Sequence, residues 1–191
     1  MKNRGGFLIL TGTLLIFASF LLTFHNLKES TQAGEEAVAV AQKLTEKLPQ
    51  SLQEPEKMPE REMPEILIDG NAYIGILEIP SLSLTLPVMS DWSYPKLRIA
   101  PCRYQGSVYE GSLIIMAHNY ASHFGSLKNL PVGDGIVFTD ADGNVFEYEV
   151  VELEILDPFM AKEMEAGDWD LTLFTCTLGG QSRVTVRCML K

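Results

Sequence analysis

Apolar residues fall along this chain in three patterns. From residue 5 to residue 24 there is no charge, and "FLILTGTLLIFASFLLTF" is nearly continuous hydrocarbon. Twenty residues at helical rise span about 30 Å, the thickness of a bilayer's apolar core, so a membrane-crossing helix is predicted. Lys2 and Arg4 precede it, and the positive-inside rule then keeps the N-terminus cytoplasmic and exports the rest. A cleaved signal would have a shorter apolar stretch, about 7–15 residues, ending at small residues. Thr31-Gln32-Ala33 is a weak match to such a site, so the anchor is read as uncleaved.

The second pattern, "EEAVAVAQKLTEKL" at 35–48, is rich in Ala, Glu, Lys and Leu and predicts a short solvated stalk helix. Pro49, Pro55, Pro59 and Pro64 follow among Glu, Gln and Lys, a composition that suits a linker rather than a helix or central strand. In the third pattern apolar positions come in short runs. "AYIGILEI" and "LTLPV" read as paired strands about a turn at Pro80-Ser81, and "SLIIMA" at 112–117 as a strand buried on both faces. "FGSLKNL" reads as one or two helical turns. Phe146, Tyr148 and Val150 alternate with Glu147 and Glu149 after Asp142-Gly143-Asn144, which predicts a hairpin. "DLTLFTC" and "RVTVRCML" complete seven or eight short strands. The prediction is a mostly β domain, a closed or nearly closed barrel with short helices, at 71–191. It follows an anchor at 1–27 and a stalk and linker at 28–70.

Charge narrows the partners. Acidic residues outnumber basic ones by 25 to 15, which argues against a nucleic-acid surface. The lipid bilayer is the partner that the N-terminal helix predicts. Export would expose Cys102, Cys176 and Cys188 to a compartment where disulfides persist. Three cysteines allow one bridge and one free thiol, or three free thiols. Cys188 falls on the opposite strand face from Arg183, which disfavours a bond to Cys176 and leaves Cys102–Cys188 as the pair to consider. Two separately buried thiols are the equal alternative.

Chemistry concentrates in "TLFTCTLGGQSR" at 172–183. A two-residue loop at Gly179-Gly180 would pair Cys176 with Arg183, their Cβ atoms about 4.5–5.5 Å apart on one face. A neighbouring cation favours thiolate, and a guanidinium offers forked donors to an oxyanion. A proton donor would complete an acyl-transfer site. His118 closes the buried strand and is the better candidate; His123 lies in the loop beyond, and His25 at the membrane edge. Thr175 points away from the Cys176 face and reads as structural support.

These words together resemble the sortases, membrane-anchored cysteine transpeptidases of Gram-positive bacteria. The resemblance runs from about Ala72 to Leu190 and rests on "IGILEIPSLSLTLPV", "HNYASHFGSLKNLPVGD" and "LTLFTCTLGGQSRVTVR". It implies an eight-stranded barrel and a groove for Leu-Pro-x-Thr-Gly-type sorting peptides. It implies Cys176 as nucleophile forming an acyl-thioester, His118 as proton donor and acceptor, and Arg183 as the group that holds the peptide and stabilises the oxyanion. An amine on a cell-wall precursor or on a pilin-like lysine would resolve the thioester. No cofactor or metal is expected: only some members of the family use calcium, and no acidic cluster suited to it is evident in the sequence. The connection "DPFMAKEMEAGDWD" is shorter than the family's B class carries, and the subclass stays open. The competing expectation is a non-catalytic exported β-domain that binds a partner. A papain-type protease is disfavoured because histidine precedes cysteine here.

Overall fold

The computed structural model describes residues 4–49, 61–159 and 161–191. Lys2 and the linker residues 50–60 lie outside them. One helix, α1 (Arg4–Lys47), includes both the uncharged run and the predicted stalk without interruption. Its first half exposes Phe7, Leu14, Phe17 and Leu21 along the apolar window that could cross a membrane. Its second half is not the solvated stalk expected. Ala33, Ala37, Val40, Ala41 and Leu44 are buried, and spacings of three and four place them on one helical face. That face lies against the barrel, where Val40 and Leu44 pack with Ile68, Tyr73 and Met89. Lys43 adds an ion pair to Asp69 at 2.7 Å.

Nine strands form one sheet: β1 (Ile66–Ile68), β2 (Asn71–Ile79), β3 (Leu84–Met89), β4 (Cys102–Gln105), β5 (Leu113–Ala117), β6 (Gly135–Asp140), β7 (Val145–Leu156), β8 (Leu171–Cys176) and β9 (Arg183–Leu190). Their order is β1-β2-β3-β4-β5-β8-β9-β7-β6, and β6 pairs back onto β2. Eight strands therefore close a mixed barrel, and β1 extends the free end of β2. Closure passes through Gly75, where a Cβ would lie 2.1 Å from the Thr139 carbonyl oxygen. No other residue fits so close an approach. The strand β1 falls within the segment assigned to the linker. It is fixed by Asp69-Gly70, both at positive φ, the two-residue loop of a hairpin that pairs Ile68 with Asn71. Short helices α2 (Tyr94–Leu97) and α3 (Ala161–Glu165) complete the fold. "FGSLKNL" yields a single 3-10 turn at Leu127–Asn129.

Inward positions fill the barrel: Leu77, Val88, Ile115, Phe138, Tyr148, Leu173 and Val186 are all within its main core. The predicted β6–β7 hairpin is held by a wholly buried carboxylate, Asp140. Its Oδ1 accepts from the backbone N–H groups of Asp142 and Asn144, each at 2.9 Å, and its Oδ2 from Asn144 Nδ2 and the Tyr109 hydroxyl. These bonds satisfy the buried charge and link the hairpin to the loop before β5. Asp140→Ala should therefore cost about 3 kcal/mol in urea unfolding, as loss of a charged, multiply bonded group does. Asp142→Ala, which breaks a half-exposed pair with Arg61, should cost less than about 1 kcal/mol.

Candidate active site

Three strand ends meet at one level. Along the parallel β5–β8 pair, Ala117 lies opposite Thr175, so the next residues, His118 and Cys176, continue side by side. Across the antiparallel β8–β9 pair, Cys176 lies opposite Arg183, the partnership the sequence predicts. The threonine of this level, Thr175, donates its hydroxyl to the Ala117 carbonyl at 2.8 Å and ties the two strand ends together. The turn between β8 and β9 is wider than the two-residue loop expected. Thr177 and Ser182 close it through Thr177 N–H to Ser182 O at 2.9 Å and Ser182 N–H to Thr177 Oγ1 at 3.1 Å. The four-residue loop is centred on the same Gly179-Gly180 pair as the two-residue one, so the Cys176–Arg183 register survives.

Strand alternation puts Cys176 on the barrel's outer wall with Phe174 and Thr172, and Arg183 with Thr185 and Arg187. They border a groove of about 240 Å³ whose lining also includes His118, Trp92, Tyr94, Met164 and the Asp157-Pro158 pair. Tyr104 packs edge-on against Phe174, ring centroids 5.5 Å apart, and stacks near Trp92 at 6.4 Å. Such a cleft, apolar with a few polar groups at one end, suits an extended peptide. Arg183 turns one nitrogen back to its own turn, Nη1 donating to Gly180 O and Ser182 O, both at 3.1 Å. Among the described residues no acceptor meets its Nε or Nη2.

Sequence reasoning missed the groove aromatics and Arg187. No local signal marks Trp92, Tyr94 and Tyr104, which gather only in the fold. Arg187 is 2% exposed, and its guanidinium donates to Glu154 Oε1 at 2.8 Å, Thr172 Oγ1 at 3.0 Å, Met164 O at 2.7 Å and Glu163 O at 2.6 Å. It holds the end of α3, and with it Met164, over the outer face of β8.

Burial, with a smaller contribution from the Arg98 charge, lowers the His118 pKa below its ordinary value; Glu29 of α1 opposes this. His123 does not reach the groove. It is wholly buried under α1, beside the Ala33 backbone. Burial lowers its pKa to about 4, although the nearby Ala33 backbone favours the charged form. His25 lies on α1 near Glu29. Of the two alternatives for Cys102 and Cys188, the structure has the separately buried thiols: both are free and fully buried. Cys102 belongs to β4 rather than to an irregular segment, and faces outward, opposite Met116, into the cluster beneath α1. Cys188 faces inward, opposite Leu171, in the barrel core. The barrel wall separates them. Among the described residues no three His, Cys, Asp or Glu side chains gather as a metal site would require.

A closed mixed barrel with a thiol, an imidazole and a guanidinium level on its outer wall defines the class of protein. The family model for the sortase domain matches residues 77–191, and the chain belongs to the sortases, a family of cysteine transpeptidases. No curated protein sequence matches it. Among solved structures it is similar to sortase C-3 of Streptococcus pneumoniae, at 23% identity over 92% of this chain and 88% of that one, with a TM-score of 0.58. It is similar to a Clostridium perfringens sortase D5 transpeptidase, at 18% identity over 87% and 96%, with a TM-score of 0.56. For Listeria monocytogenes sortase A the identity is 21% over 62% and 87%, with a TM-score of 0.54.

Burial raises the thiols of Cys102 and Cys188 to about 12, whereas Cys176 is half-buried at the groove. Iodoacetamide at pH 8 should therefore modify Cys176 alone in the native chain, since the thiolate is the reactive form. All three should be modified after denaturation without reductant. Recovery of a Cys102–Cys188 peptide by mass spectrometry would contradict this arrangement.

Proposed function

We propose that the chain is a membrane-anchored transpeptidase that cleaves a Leu-Pro-x-Thr-Gly-type sorting signal and transfers the acyl part to an amine. The observation that carries this reading is the level placement of His118, Cys176 and Arg183 at one end of an outward-facing apolar groove. Cys176 passes its thiol proton to His118 as Sγ attacks the carbonyl before the scissile bond. The two free sides of the Arg183 guanidinium donate to the developing oxyanion and the peptide. As the C–N bond breaks, His118 gives its proton to the leaving amine, and an acyl-thioester remains on Cys176. An incoming amine, on a cell-wall precursor or a pilin-like lysine, loses a proton to His118 and attacks the thioester; the C–S bond breaks and the departing sulfur takes that proton back from His118 as the thiol. Water in place of the amine gives hydrolysis.

The test incubates the full chain in detergent with a Leu-Pro-x-Thr-Gly peptide and triglycine. Mass spectrometry should find an acyl adduct on Cys176 and a ligated product. Binding of the peptide without an adduct would instead favour the non-catalytic binding domain. Cys176→Ala should abolish turnover and His118→Ala nearly so. Arg183→Ala should lower the rate about 10²–10³-fold, the range for losing an oxyanion donor. Arg183→Lys should recover little, because an ammonium cannot reproduce the fork. An Arg183→Ala protein with full activity would remove the role assigned here.

The same reading holds the barrel outside the cell, with the N-terminus of α1 cytoplasmic. Arg4 and the uncharged window that follows it support that orientation. A membrane-impermeant maleimide added to cells stripped of their wall should then label Cys176. Labelling only after lysis would reverse the topology.

A further inference from the structure

The docked half of α1 meets the loop that follows β5 at a tight joint. Ser122 Oγ donates to the Ser30 carbonyl at 2.7 Å. One turn on, Gly34 has no side chain where a Cβ would sit 2.8 Å from Ser122 Cβ. Next to this contact the His123 ring is sealed in against the Ala33 backbone of α1. From the joint, contacts lead directly to His118. The His123 N–H donates to the Tyr120 carbonyl at 3.0 Å, and the Phe124 N–H to the His118 carbonyl at 3.3 Å. The Tyr120 ring lies 5.5 Å from that of His123 and 4.9 Å from that of His118.

We propose that the docked half of α1 is a positioning element for His118, acting through Gly34, Ser122 and the loop from Tyr120 to Phe124. The inference rests on the role given to His118 above and adds that the transfer site is complete only while α1 stays seated. His118 follows the last residue of β5, so its backbone is held by strand pairing on one side only. On the other side it is held by this loop, which α1 backs. A shift of about 1 Å at a reacting group can cost up to 10²-fold in rate.

Acid should loosen the joint. Besides His123, the groups that face it are His118, Tyr120, Glu29 on α1 and Arg98 beyond α2. Buried His123 resists protonation until about pH 4, whereas an imidazole in water takes a proton near 6.5. Below pH 6.5 the undocked state thus binds more protons than the docked one. Docking is strongest above about 6.5 and weakens as pH falls toward 4.

The experiment uses the full chain in detergent micelles and compares wild type, Gly34→Ala, Gly34→Ala/Ser122→Gly and Ser122→Ala. A glycine-to-alanine change improves helix propensity, so a merely structural joint would leave activity intact or raise stability. The expected result for Gly34→Ala is a kcat about tenfold lower with KM within twofold. The histidine ring NMR signals of His118 and His123 should move. Adding Ser122→Gly removes the clashing Cβ and should restore both readouts, while Ser122→Ala should lower kcat a few-fold. Unchanged kcat and His118 signals in Gly34→Ala, or no recovery in the double variant, would overturn the proposal. If wild type fails to turn over the peptide, the functional reading fails, and the ring signals still decide whether the joint reaches His118.

Discussion

Strands β5 and β8 run side by side in the same direction, in register from Leu113–Leu171 to Ala117–Thr175. A parallel neighbour cannot come from a hairpin and needs a long crossover. Here the chain between them supplies the β6–β7 hairpin that completes the barrel. Because both strands end together, His118 and Cys176 emerge at the same level. An antiparallel β8 would have carried Cys176 to the far end of the pair, roughly 17 Å away at strand rise. The antiparallel return of β9 then begins where β8 stops and delivers Arg183 to the same level. Site and barrel thus depend on one pairing, and the Thr175–Ala117 bond fastens its end.

The outer wall beside that level is unusual in what it buries. Thr185 is 0% and Arg187 2% exposed, although both point away from the barrel core. The connection from β7 to β8 folds back over them, and Met164 packs with Ile114 and Phe174. An arginine taken out of water is tolerated only when its donors are met. Glu154 supplies the countercharge, and Thr172 and two α3 carbonyls supply the remaining acceptors. The groove therefore gains a fixed lip from a short connection.

Much of this was legible because two-residue periodicity survives translation into structure. Phe146, Tyr148 and Val150 are buried while Glu147 and Glu149 are exposed, and the Cys176–Arg183 register followed from a hairpin centred on Gly179-Gly180. The shared centre tolerated an error in turn length, and parity fixed the faces. Neither could say which strands were neighbours, so the parallel β5–β8 pair and the groove aromatics stayed hidden. A three-residue strand at Ile66–Ile68 was lost beside Pro64, although Asp69-Gly70 carried its hairpin signal. The disulfide question turned on the face that Cys102 takes, which depends on β4 existing as a strand. The stalk was misjudged because Ala33, Ala37 and Ala41 form a narrow, weakly apolar face. Alanines read as helix propensity in the sequence and as close packing in the fold.

That close packing changes what the N-terminal helix can transmit. Between the apolar window and Lys47 the helix contains no proline, and Gly34 is its one glycine. A glycine inside a helix costs about 1 kcal/mol relative to alanine and would be the natural place for a bend. Here Gly34 sits against Ser122 and the helix continues through it. The residue most able to loosen the helix is the one that lets the barrel approach it. Ala33, Ala37, Val40 and Leu44 extend the contact on the same face toward β1 and β2. The helix that begins as an apolar span thus ends as part of the barrel's own packing. The loop that follows His118 is the first part of the barrel it meets.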